Sequence, residues 1–134
     1  MKILLKPLKG RNEFAELFKK GKRFYEKDAH AIVKYKEKPE TETFIITRYA
    51  CSAGKKLSKK AVVRNRIKRL MKESLRAMLS DPAFSILLSK IDQIWLFWHY
   101  APQRPGQISL KDVEPVVRTL VKRTKSITGN KDKV

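Results

Sequence analysis

Hydrophobic and polar positions alternate with different periods along this chain, and the changes of period mark its elements. Phe14, Leu17 and Phe18 recur at i, i+3 and i+4, the spacing of one helix face. They predict a short helix over Glu13–Lys20, capped by Asn12 and stopped by Gly21. Over Ala29–Lys36 the period drops to two: Ala31, Val33 and Tyr35 alternate with His30, Ile32 and Lys34. That is a half-buried strand, and the alternation alone does not say which set faces inward. The polar, proline-bearing stretch 37–42 predicts a turn, and Thr43–Cys51 a returning strand, so the two strands read as a hairpin, with further pairing just before Gly54.

A longer helix follows, from Lys59 or Ala61 to Leu79. Its apolar stripe is Val63, Ile67, Leu70, Met71, Ser74, Leu75 and Met78, and Asp81-Pro82 ends it. Ile91–Trp98 is a run of strand length, apolar without interruption from Ile94, suited to the centre of a sheet. Its tryptophans, Trp95 and Trp98, stand an odd number of residues apart and so point to opposite faces. Ala101–Gly106, with two prolines and a glycine, predicts a loop. The last helix is Leu110–Lys125, with Val113, Val116, Val117 and Leu120 inward. The first ten residues read as an irregular basic lead-in. The expected organisation is one α+β domain over residues 1–125, helices layered on one small sheet, and a polar disordered tail over 126–134.

Length and charge narrow the function. A chain of 134 residues, 42% of them apolar, holds one domain with a real core. Its net charge is +19, from 32 Lys and Arg against 13 Asp and Glu. That imbalance repels itself until a polyanion neutralises it, which points to nucleic acid or an anionic membrane. A membrane is the weaker choice, because Ile94–Trp98 falls far short of the roughly 20 residues that span a bilayer. Met1-Lys2-Ile3-Leu4-Leu5 meets Lys6, Pro7 and Lys9 at once, so it lacks the apolar core of a signal peptide. The single cysteine, Cys51, excludes an internal disulfide, in keeping with a cytoplasmic location.

The charge is concentrated. Between residues 55 and 72 stand nine cations and no acid: Lys55, Lys56, Lys59, Lys60, Arg64, Arg66, Lys68, Arg69 and Lys72. On a helix Arg64, Lys68, Lys72 and Arg76 fall at i+4 intervals, with Asn65 and Arg69 in a row beside them. Each like-charged i, i+4 pair destabilises an isolated helix by roughly 0.2–0.5 kcal/mol. Local stability therefore does not explain the arrangement, whereas a phosphate-bearing partner does. A merely solvated helix face would mix Glu with Lys, and here the first acid is Glu73. Asn65 is a poor helix former whose amide both donates and accepts, placed for a base, a 2′-hydroxyl or a hydrated ion.

The run Ala61-Val62-Val63-Arg64-Asn65-Arg66-Ile67-Lys68-Arg69, preceded by Lys55-Lys56 and followed by Glu73, resembles the signature of the bacterial ribonuclease P protein subunit. Phe14 and Phe18, four apart, and the run Phe18-Lys19-Lys20-Gly21-Lys22-Arg23 extend the likeness, as do Asp92 and the closing helix, so that it covers residues 8 to about 124. The resemblance implies a two-layer sandwich of order α-β-β-β-α-β-α with a four-stranded sheet, a fold of a kind also met in ribosomal proteins. It implies a left-handed crossover around the signature helix, where the general rule for a β-α-β unit gives the right-handed form. In function it implies a subunit that binds ribonuclease P RNA and precursor transfer RNA, and promotes hydrolytic removal of the 5′ leader. Magnesium would be held mainly by the RNA, and neither membrane nor DNA is an expected partner. The RNA-binding residues would be the nine cations with Asn65. A cleft between the first helix and the sheet would hold the leader against Phe14, Phe18, Val33 and Tyr35, or against the alternate strand set Ile32 and Lys34. Two stretches depart from the family: Ala50-Cys51-Ser52-Ala53-Gly54 before the Lys-Lys pair, and Phe97-Trp98-His99-Tyr100, where relatives carry an alanine and an arginine.

The remaining chemistry agrees with a non-catalytic role for this chain. The acids are scattered, and Glu40 and Glu42 sit near each other only in the turn; a two-metal nuclease needs carboxylates that hold ions about 3.5–4 Å apart. His30 and His99 are lone in sequence and Cys51 has no neighbouring histidine. Phe14 and Phe18 read equally as core packing or as rings on which leader bases stack. Competing readings are a ribosomal protein, against which the Arg64–Arg69 motif argues; a DNA-binding module, for which no second helix stands at helix-turn-helix spacing; and a self-sufficient nuclease, for which the carboxylates are wanting.

Overall fold

The computed structural model describes residues 2–37, 44–54, 58–99 and 107–130, with side chains as far as Lys125. In chain order the elements are β1 (Lys2–Pro7), α1 (Arg11–Lys20), β2 (Lys22–Tyr25), β3 (Ala29–Tyr35), β4 (Phe44–Ala53), α2 (Ala61–Met78), α3 (Pro82–Ser89), β5 (Ile91–Trp98) and α4 (Leu110–Asn130). One five-stranded sheet carries them, in the order β1-β4-β5-β3-β2. The α+β class and the central place of Ile91–Trp98 are as expected: β5 runs parallel to β4 and antiparallel to β3. Three strands separate α1 from α2, as the resemblance implied.

The fifth strand is the stretch read as a lead-in. Lys2–Pro7 pairs in parallel with β4, from Lys2 beside Phe44 to Pro7 beside Tyr49. Lysines at both ends and a terminal proline blur its apolar signal, yet they suit an edge strand, where a missing donor costs nothing and charge discourages further pairing. The expected hairpin between Ala29–Lys36 and Thr43–Cys51 does not form, because β5 lies between β3 and β4. A strand apolar on both faces is best buried between two others, and a turn signal fixes only that the chain reverses. The hairpin the chain does make is β2–β3, with Phe24 opposite Ala31, closed by Glu26 N–H donating to Ala29 O at 2.8 Å. The expected turn and loop fall mostly on 38–43 and 100–106, outside the described residues.

Helix ends differ in instructive ways. α1 is capped by Gly10, at φ +92°, and not by Asn12, which stands inside the helix. Gly21 ends it as expected; a Cβ there would overlap Ile32 Cγ2 and meet Leu17 O at 2.6 Å, so only glycine lets α1 turn directly into β2. Asp81-Pro82 ends α2 and also starts α3, since the Asp81 carboxylate accepts the Ala83 N–H at 3.1 Å and proline suits a first helical position. α4 continues to Asn130, five residues into the stretch read as a tail, with no glycine or proline between Lys125 and Gly129.

The sheet has two unlike faces. Under α2, α3 and α4, Ala31, Val33, Tyr49, Ile94, Leu96 and Trp98 meet Ile67, Met71, Leu75, Leu88, Val117 and Leu120 in the main core. The other face is covered by α1 alone, which seats Leu17 on Leu8 and Ile32, with Phe14, Ala50, Trp95 and Phe97 around them. One ten-residue helix cannot cover five strands, so side chains beside it stay half-buried. Trp95 and Trp98 do point to opposite faces.

Candidate nucleic-acid interface

α2 presents its cations outward because its apolar stripe is anchored. Val63, Ile67, Leu70, Met71, Ser74, Leu75 and Met78 are buried, as the periodicity requires, and turn Asn65, Arg69 and Arg76 to solvent. Arg64, Lys68 and Lys72 lie half-buried along one flank. Arg64 donates to Ser58 O at 2.7 Å, which holds the preceding segment against the helix. Arg66 lies on the other flank, its Nε–H donating to Ile108 O at 2.9 Å, so it ties α2 to the approach to α4. Among the described residues, no ion pair involves a cation of α2.

The start of α2 adds to this field. Lys60 caps it without a side-chain acceptor, no acid stands in its first turn, and Lys59 and Lys60 are exposed beside it. Cations at the positive end of a helix dipole are unfavourable by roughly 0.3–1 kcal/mol, and the same end with its free N–H groups favours an anion. Val62, 74% exposed, stands among these cations. Lys55 and Lys56 lie outside the described residues. Beneath the helix, Cys51 is a half-buried strand residue whose thiol is pushed up to about 12 by desolvation, against the opposing pull of Lys72 and Lys68.

The second surface is the sheet face beside α1. Phe14 is half-buried, its ring edge-on to Trp95 at 4.7 Å. Phe18 is 56% exposed, with the Arg23 guanidinium 4.7 Å from its ring centre and donating to Phe18 O at 3.0 Å. The two phenylalanines read from one periodicity thus have different surroundings. Val33 and Tyr35 need correcting as cleft residues. Val33 is buried in the main core, and Tyr35 donates its hydroxyl to Thr124 O at 2.8 Å, with burial pushing its phenol up to about 12. Both face the three-helix side, opposite α1, because alternation carries that set inward under the larger core. The alternate set faces α1: Ile32 packs on Leu17, and Lys34 pairs with Glu16 at 2.9 Å.

Sequence reading missed a shelf of rings on this face. Trp95 and Phe97 lie 4.4 Å apart, Phe97 and His30 4.5 Å apart at 5°, and His30 stands 5.5 Å from Tyr25 and 5.4 Å from His99. The Trp95 indole N–H donates to Ser52 Oγ at 2.8 Å. His30 and His99, lone in sequence, are neighbours here through the β3–β5 register, in which His30 sits opposite Phe97. The only sequence signal was the alternation that put His30 with Ile32 and Lys34.

Among the described residues no three His, Cys, Asp or Glu side chains converge as metal ligands, and no helix is long and apolar enough to cross a membrane. Residues 5–91 match the family model described as Ribonuclease P. The ribonuclease P protein component of Rickettsia prowazekii (strain Madrid E) is 35% identical over 91 residues, covering 65% of this chain and 73% of that protein. That of Rickettsia canadensis (strain McKiel) is 41% identical over 78 residues, covering 55% of this chain and 64% of that protein. In fold, the chain is similar to the RNase P protein of Staphylococcus aureus, with a TM-score of 0.64 at 22% identity over 89% of this chain and 94% of that one. The RNase P protein of Thermotoga maritima gives 0.63 at 19% identity, over 88% and 96%. The family's signature helix lies within the matched residues, on the fold its solved members share, and this chain belongs to the ribonuclease P protein family.

Proposed function

We propose that this chain is the protein subunit that binds ribonuclease P RNA through α2 and the segment before it, holds the 5′ leader of precursor transfer RNA beside α1, and promotes removal of that leader. The observation that carries the reading is the state of α2: an anchored helix whose cations meet no carboxylate among the described residues. Asn65 and Arg69 project furthest and suit structured RNA, with Lys59, Lys60, Arg64, Lys68 and Lys72 as phosphate contacts around them. Arg66, bonded to Ile108 O, keeps part of its guanidinium for RNA and part for the fold. Lys55 and Lys56 join this surface by sequence.

The leader runs along the ring shelf, with Phe18 and Tyr25, each more than half exposed, as the rings bases can reach. In this reading the magnesium ion's coordination and the attack on the phosphodiester belong to the RNA. Arginine stays protonated and an amide does not titrate, so Arg64, Asn65 and Arg69 offer no general base at neutral pH. The test is cleavage of precursor transfer RNA at limiting magnesium by protein alone, RNA alone and both. Cleavage only with RNA present, at a lower magnesium requirement when the protein is added, is expected. Robust cleavage by RNA-free protein would overturn the division of labour.

A further inference from the structure

The ring shelf holds two imidazoles, and that of His30 lies in the middle. His30 stands between its two cross-strand neighbours, Tyr25 on β2 and Phe97 on β5, with His99 beside it. Rings stacked on one another use up their faces and leave their edges for a ligand. The edge of phenylalanine gives a phosphate little and the tyrosine hydroxyl gives it a neutral donor, whereas an imidazolium gives it a stronger, charge-assisted N–H donor. We propose that His30, with the exposed His99 beside it, is the anion-contacting group of this cleft and takes up a proton when an RNA phosphate is seated there. The inference rests on the leader reading above and adds the residue that meets the backbone and the condition under which it does so.

The surroundings of His30 decide the direction. Arg23 and Tyr25 face it from β2 and His99 from the end of β5, while α1 turns apolar Phe14 and Leu17 toward this side of the sheet. Burial lowers its pKa below the ordinary histidine value, and the nearby charges of His99 and Arg23 lower it further; among the described residues no carboxylate opposes them. The free protein therefore keeps His30 neutral at pH values where an exposed histidine is part-charged. A seated phosphate reverses the balance by adding the missing opposite charge. The flanking rings do not resist, since a cation between two aromatic faces is attracted to both. Binding and protonation are thus linked, and affinity falls as pH rises. Each unit by which the phosphate raises the imidazole's pKa is worth up to about tenfold in affinity at the acid end.

The experiment measures binding of a short single-stranded oligouridylate to the full chain between about pH 5.5 and 7.5, a range in which histidine titrates. Affinity is expected to fall about three- to tenfold across it, more steeply at low salt. His30→Phe keeps a ring in the shelf and should flatten the profile, and His99→Gln should flatten it in part. In the parental chain, the imidazole resonances of His30 should titrate at higher pH with the oligonucleotide bound than without it, a reading that needs no variant. Binding that is equally tight across the range, or a His30 midpoint unmoved by RNA, overturns the proposal and leaves the leader reading standing. No binding at any pH overturns both.

Discussion

Phe14 and Phe18 sit one helical turn apart on α1, and truncating each to alanine separates packing from RNA binding. Burying a whole phenylalanine side chain is worth about 1.5–3 kcal/mol, and Phe18 keeps 56% of its surface exposed, so its burial accounts for about 1 kcal/mol. The Arg23 guanidinium over its ring adds about 0.5–1 kcal/mol at an exposed site, and alanine's better helix propensity returns up to about 0.5 kcal/mol. Phe18→Ala should thus lower stability by only about 1 kcal/mol. Phe14 is half-buried and edge-on to Trp95, so its truncation falls short of the roughly 3–5 kcal/mol of a fully buried ring and should cost about 2–3 kcal/mol. For a single-stranded leader the order reverses. If one base stacks on Phe18, its loss should weaken binding by about 1–3 kcal/mol, from about fivefold to more than a hundredfold. Urea denaturation reads the first quantity and fluorescence anisotropy with a labelled leader oligonucleotide the second. Unchanged leader affinity in Phe18→Ala, or a stability loss as large as that of Phe14→Ala, would refute the assignment.

Three further outcomes follow from the geometry. Arg66→Ala should destabilise the fold by about 1–2 kcal/mol, because it leaves Ile108 O without its charged donor, whereas Asn65→Ala and Arg69→Ala should leave melting near parental and weaken assembly with the RNA; equal melting of all three would remove Arg66 from its structural role. Gly21→Ala should cost at least about 1–3 kcal/mol, since its Cβ would overlap Ile32 and the Leu17 carbonyl, and a parental denaturation midpoint would show that α1 shifts freely. Cys51, half-buried with its thiol pushed up to about 12, should react slowly with alkylating reagents at pH 8 in the folded chain and faster once urea unfolds it; equal rates in the two states would contradict its packing under α2.

The local pattern of the chain was enough for the elements that pack by a single repeated face. α2 and β5 follow from their periods alone, the first because one stripe of a long helix must be buried, the second because only a central strand tolerates apolar residues on both sides. The basic face of α2 was legible for the same reason: fixing Val63, Ile67 and Leu70 inward leaves Asn65 and Arg69 nowhere to go but out. Pairing between strands was not legible, since hydrogen-bonded partners are chosen by the whole sheet. β1 needed β4 beside it to be a strand, and β3 took β5 and not β4 as its neighbour. Which face of β3 lined the cleft was likewise open in the alternation of Val33 and Tyr35 with Ile32 and Lys34. Three helices bury more apolar area than one, and that drew Val33 and Tyr35 to their side and left His30 to the cleft. The shelf that joins His30, Phe97 and His99 exists only through the β3–β5 register, which brings together residues almost 70 positions apart.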